Sequence, residues 1–84
     1  KHKAYYFYPV TGGFGRSGIP DIIVCHHGHF VGIECKAGTN KPTALQLAEL
    51  AKIIDAGGNA MVVNENNIDV VDELLKFLGE SHEK

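Results

Sequence analysis

Two apolar, β-branched runs, Asp21 to His26 and Phe30 to Lys36, flank His27-Gly28, and no other feature of the chain restricts its fold as much. A two-residue turn through His27 and Gly28 makes these runs a hairpin in which facing residue numbers sum to 55. His26 then faces His29, and Asp21 faces Glu34. Lys36 lies two residues beyond Glu34 and shares its face, because side chains alternate along a strand. A three-residue turn would slip the register by one and separate the two acids.

The remaining elements follow from periodicity and punctuation. Ala4 to Val10 is aromatic and β-favouring, which predicts a strand. Thr11 to Gly18 is a glycine-rich loop, and Gly38, Asn40 and Pro42 mark another. Thr43 to Ala56 reads as a helix with Leu47, Leu50, Ala51 and Ile54 on its apolar face, stopped by Gly57-Gly58. Ala60 to Val63 is a short buried strand. Ile68 to Leu78 is a second helix with Val71, Leu74, Leu75 and Leu78 on one face, and Ser81 to Lys84 a frayed tail. The fold class is α/β: a small mixed β-sheet in the order β-ββ-α-β-α with helices packed on it.

At 84 residues the chain is one domain with a thin core, which sharing surface with a second copy would relieve. Its apolar share of 44% argues against disorder, and no apolar run is long enough to span a membrane. Cys25 and Cys35 lie five residue steps apart along the ladder, or roughly 17 Å. A disulfide needs Cα atoms within about 7 Å. Free thiols in a reducing cytoplasm are therefore expected.

Two carboxylates and a lysine converging at one hairpin end constitute a chemical group. Like charges so placed destabilise a sheet unless something neutralises them. A hard divalent cation does so, and Mg²⁺ takes one or two protein carboxylates while keeping several waters. Such an ion polarises a phosphoryl oxygen and lowers the pKa of its water, while a neighbouring lysine orients water or offsets phosphate charge. This is phosphodiester hydrolysis in outline. The net charge of −2 is awkward for a nucleic-acid enzyme. The acids are unevenly spread, however: none precedes Asp21, and many lie in the last third.

Gly18-Ile19-Pro20-Asp21, followed after twelve residues by Glu34-Cys35-Lys36, resembles the PD-(D/E)xK nuclease signature, and more narrowly its VRR-NUC branch. Lys41-Pro42-Thr43-Ala44-Leu45-Gln46 fits the lysine-bearing loop that leads there to a helix glutamine, and Ala56-Gly57-Gly58 fits the helix end. The resemblance covers roughly residues 5 to 64. It implies a restriction-endonuclease-like core and an endonuclease cutting DNA, Holliday-junction or flap-like structures included. It also implies Mg²⁺ or Mn²⁺ held by Asp21, Glu34 and the backbone carbonyl of Cys35, with Lys36 catalytic and Gln46 holding the lysine or the water. A symmetric homodimer in a bacterial or phage-infected cytoplasm goes with it. The chain departs from the pattern at one point. Such nucleases carry a further acid on a helix before the first strand, and here that helix is expected to be missing. The rival reading is a nucleic-acid-binding module with an incomplete site; a structural or toxin-partner protein with fortuitous acids is a third.

Several features have blander readings. Thr43-x-x-Gln46 matches a capping box, which would also occupy the glutamine. His26, His27 and His29 suggest zinc, but alternation sends His26 and His29 away from the acids, and a polar turn is preferred. Gly13 to Gly18 matches G-x-G-x-x-G, yet it leads into a strand instead of opening a helix. It is read as a loop approaching a nucleic-acid backbone, with Arg16, Gly18 and Lys41 as contacts. Tyr5, Tyr6, Phe7 and Tyr8 are read first as strand core and subunit contact, and only then as base-stacking residues.

Overall fold

A computed structural model describes residues 3–10 and 17–82 of the chain. Its elements are β1 (Tyr5–Phe7), β2 (Ile22–His26), β3 (His29–Cys35), α1 (Ala44–Asp55), β4 (Asn59–Val63) and α2 (Asp69–His82). The strands form one sheet in the order β1-β2-β3-β4, with β1 and β3 antiparallel to β2 and β4 parallel to β3. This mixed sheet with two helices is compatible with the restriction-endonuclease-like core that the resemblance implied.

The hairpin has the expected register: Ile22 pairs with Ile33 and His26 with His29. The turn causes it. His27 at φ 51° and Gly28 at φ 80° give two successive left-handed residues, the type I′ geometry that matches the twist of the flanking strands.

Alternation gives the sheet two different faces. Val24, Val31, Ile33 and Val63 turn towards Leu75 and Leu78 of α2, and these six buried residues form the core. Val71 and Leu74 pack against it, so the apolar face expected of α2 is the one buried. The helix continues beyond Leu78 to His82, so Ser81 and His82 are helical where a tail was expected, and residues 83–84 lie outside the described part. On the opposite face α1 packs over β3 and β4. Ile53 lies so close to Gly32 that a Cβ there would meet its Cδ1 at 2.6 Å.

Two burial expectations are corrected. Leu47 and Ile54 are 53% and 56% exposed, and Ala51 is exposed with them. The face of α1 turned to the sheet instead runs through Gln46, Glu49, Leu50 and Ile53, so only Leu50 was placed correctly. Tyr5, Tyr6, Phe7 and Tyr8 are all exposed, between 45% and 70%, because β1 is a three-residue edge strand with little packed over it. They are not core in this chain.

Candidate active site

The segment before β2 is fixed at three successive points. Gly18 has φ +85°, and a Cβ on it would meet the Leu45 carbonyl oxygen at 2.6 Å, so the backbone lies directly on the first turn of α1. Pro20 is buried and abuts the space above Gly32. Asp21 then stands one step beyond the Ile22–Ile33 pair, opposite Glu34, and its Oδ2 accepts the Cys35 N–H at 2.8 Å. That amide would have no strand partner where β2 ends, so the aspartate completes the ladder with its side chain.

Glu34 is 2% exposed, on the α1 face of β3. Lys36 Nζ lies 3.5 Å from its Oε2. Its other oxygen, Oε1, is buried without a hydrogen-bond partner among the described residues. Burial pushes the Glu34 carboxyl above its ordinary range, the Asp21 charge pushes it further, and Lys36 opposes both. A buried carboxylate facing a second carboxylate, with an unsatisfied oxygen, is held in a state that a cation would relieve. The Cys35 thiol is likewise pushed up, by desolvation and then by Asp21 and Glu34, so it stays protonated. Both cysteines are free.

Asp21, Glu34 and Lys36 are thus brought together. Gln46 is committed locally: its Oε1 accepts the Thr43 N–H at 2.8 Å, and its own N–H donates to Thr43 Oγ1 at 3.2 Å. This is the capping box, and it leaves only the Gln46 amide NH₂ for any further contact. Lys41 is exposed on the loop before α1, and Arg16 lies outside the described residues. Among the described residues no three His, Cys, Asp or Glu side chains form a cluster able to hold a metal ion. No described helix is long and apolar enough to cross a membrane.

Sequence reasoning passed over the turn after β4. Both Glu65 oxygens accept the Gly38 N–H, at 3.1 and 3.0 Å, and Asn64 Nδ2 donates to the Gly38 carbonyl at 3.4 Å. The run Asn64-Glu65-Asn66-Asn67 was a turn signal. Nothing in a single sequence says which loop such a turn will grip. Buried Glu49, 3.3 Å from Lys52, was passed over as well.

No protein-family model and no solved structure matches the chain. It is similar to "Putative nuclease p44" of Acyrthosiphon pisum secondary endosymbiont phage 1, with 33% identity over 58 residues. The match takes in 68% of this chain and 62% of the phage protein, so the chain spans less than two thirds of that relative's length.

Proposed function

We propose that the chain is a metal-dependent endodeoxyribonuclease of the PD-(D/E)xK type, in its VRR-NUC branch. One observation carries the reading: a buried Glu34 with an unpartnered oxygen stands opposite Asp21 and 3.5 Å from the Lys36 ammonium. The phage relative's name agrees with a nuclease.

The donor set fits a hard divalent cation, Mg²⁺ or Mn²⁺. Asp21 and Glu34 supply charged oxygen, and the buried Glu34 oxygen has a lone pair to give. Cys35 contributes its carbonyl: in an extended strand a residue's N–H and C=O point the same way, and this N–H points at Asp21. The protonated thiol is a poor ligand. When bound, the ion supplies Lewis-acid polarisation of the scissile phosphate and a more acidic water.

The chain's own residues do the rest. Asp21, gripped by the Cys35 amide, is oriented before substrate arrives. Lys36 is held beside the buried Glu34 with its own side chain partly exposed, so its ammonium can offset charge building on the phosphate and donate to a water or a phosphate oxygen. Gln46 is assigned to the helix cap and to a hydrogen bond from its remaining NH₂. Arg16, Gly18 and Lys41 are assigned contacts to the DNA backbone, Lys41 as a charge and Gly18 through its main chain.

The functional unit is a symmetric homodimer acting on DNA, with branched structures such as four-way junctions among the candidate substrates. Exposed Leu47 and Ile54 on α1, and the aromatic edge strand β1, support association. Two copies would also pool Lys41 and Arg16 against a net charge of −2. The test is cutting of labelled linear duplexes and four-way junctions with Mg²⁺, Mn²⁺ or EDTA, for the wild type and Asp21→Asn. Cutting that needs metal and Asp21 supports the reading. Metal-independent DNA binding without cutting would replace it with the binding-module alternative.

A further inference from the structure

We infer that Glu65 is a positioning residue for Lys36, acting through a clasp on the loop that leaves the active site. The inference rests on the nuclease reading for its functional meaning, but its physical part stands alone.

The chain leaves β3 at Cys35, whose partner in β4 is Val63. The next amide, Lys36 N–H, donates to the Val63 carbonyl at 2.9 Å. Two residues later Gly38 adopts φ +58°, and Asn40 N–H closes a turn on the Ala37 carbonyl at 3.1 Å. The second position of this turn thus has a positive φ, which favours glycine there. The end of β4 grips both sides of that glycine. Glu65 accepts its N–H with both carboxylate oxygens, and Asn64 donates to its C=O.

The gripping turn is itself braced. Asn64 Oδ1 accepts the Asn66 and Asn67 amides at 2.7 and 3.1 Å, and Asn67 Oδ1 accepts the Asn64 amide at 2.6 Å. Asn67 Nδ2 reaches the Val62 carbonyl at 3.4 Å. Lys36 therefore stands between two anchors on the same strand end: its own amide on Val63 and the Gly38 peptide on Asn64 and Glu65. Its long side chain carries much rotamer freedom, so the 3.5 Å approach to Glu34 depends on how narrowly its backbone is held. Releasing Gly38 frees one side of Lys36 and widens the range its ammonium samples. Charged acceptors make the stronger hydrogen bonds, which is why a carboxylate at 65 suits this exposed position.

The experiment compares Glu65→Ala and Glu65→Gln with the wild type, each alone and in a Lys36→Ala background. Amide hydrogen exchange at Gly38 and Lys36 reads the clasp without reference to activity. Steady-state cutting of duplex DNA in Mg²⁺ reads its consequence. Glu65→Ala is expected to speed exchange at both amides and to lower kcat about tenfold with KM within about twofold, since small misplacements of a catalytic group act on the chemical step. Glu65→Gln keeps an acceptor of the same length and should recover most of that loss. In the Lys36→Ala background Glu65→Ala should cost nothing further, which a general loss of stability would not reproduce. Unchanged Lys36 exchange in Glu65→Ala overturns the inference, as does an equal fall in kcat with and without Lys36. If the wild type cuts no DNA, the nuclease reading fails separately, and the exchange data still decide the clasp.

Discussion

Glu34 is where stability and proposed chemistry conflict. Its carboxyl is buried, faces Asp21 and has an oxygen without a partner, so folding favours its protonated form. A carboxyl whose folded pKa lies above its unfolded value, about 4.5, adds stability that is fully present below the unfolded pKa and lost as pH rises through the folded one. The metal-free protein is therefore expected to lose thermal stability as pH rises through the raised pKa. Mg²⁺ should restore more of it at neutral than at acidic pH, which melting curves across a pH series with and without the ion would check. Glu34→Gln should raise the metal-free Tm at neutral pH by a few degrees while lowering the cutting rate by about 10²-fold or more. A mutant less stable than wild type in the absence of metal would show that the ionised carboxylate is well accommodated. Glu65 has the opposite sign: its carboxyl is held low by its own N–H and that of Gly38. Its contribution is present above pH about 4.5 and lost as pH falls through the lowered folded value. The convergence of Asp21, Glu34 and Lys36 was legible because a turn type and a period of two determine it. The Glu65 clasp was not, since it joins loops 27 residues apart that no pattern connects.

Among the elements, the hairpin and α2 follow their sequence patterns because each has one side that must be buried. Helix α1 shows how the pattern can mislead. Leu47, Leu50, Ala51 and Ile54 fit the helical template well, yet the helix rotates to put Gln46, Glu49 and Ile53 beside Leu50 against the sheet. Those polar groups have local uses, the cap for Gln46 and Lys52 for Glu49, and Gly32 leaves room for Ile53. Apolar spacing alone does not reveal such uses. The two glycines against α1 should respond differently to alanine. At Gly32 the added methyl meets the end of the Ile53 side chain, which can move, and the Pro20 ring at 3.1 Å, which yields less, so about 1–2 kcal/mol is expected. At Gly18 it meets the Leu45 backbone from a φ of +85°, and about 3 kcal/mol or more is expected, with Asp21 displaced. Urea unfolding of both variants would test the order. Thr43→Ala should cost about 1 kcal/mol through loss of the cap, read in the same way.

The whole molecule has one face of its sheet well buried under α2, while its edge strand and the outer side of α1 stay apolar and exposed. The exposed aromatics of β1 were legible as strand residues. Their exposure was not, because a sequence does not say which strand will lie at a sheet edge. If copies associate through these surfaces, light scattering should give twice the chain mass, and Leu47→Glu should return the protein to the monomer. A monodisperse wild-type monomer that still cuts DNA would refute the dimer. The centre of the molecule's proposed activity is narrower, the ammonium of Lys36 beside Glu34. Its most direct test is the single-turnover cutting rate of duplex and four-way-junction DNA in Mg²⁺, wild type against Lys36→Ala, with DNA affinity measured on the same samples. The nuclease reading requires the rate to fall by about 10²-fold or more while affinity stays within about threefold. Equal rates in the two proteins would contradict it, as would a wild type that binds DNA and leaves it intact.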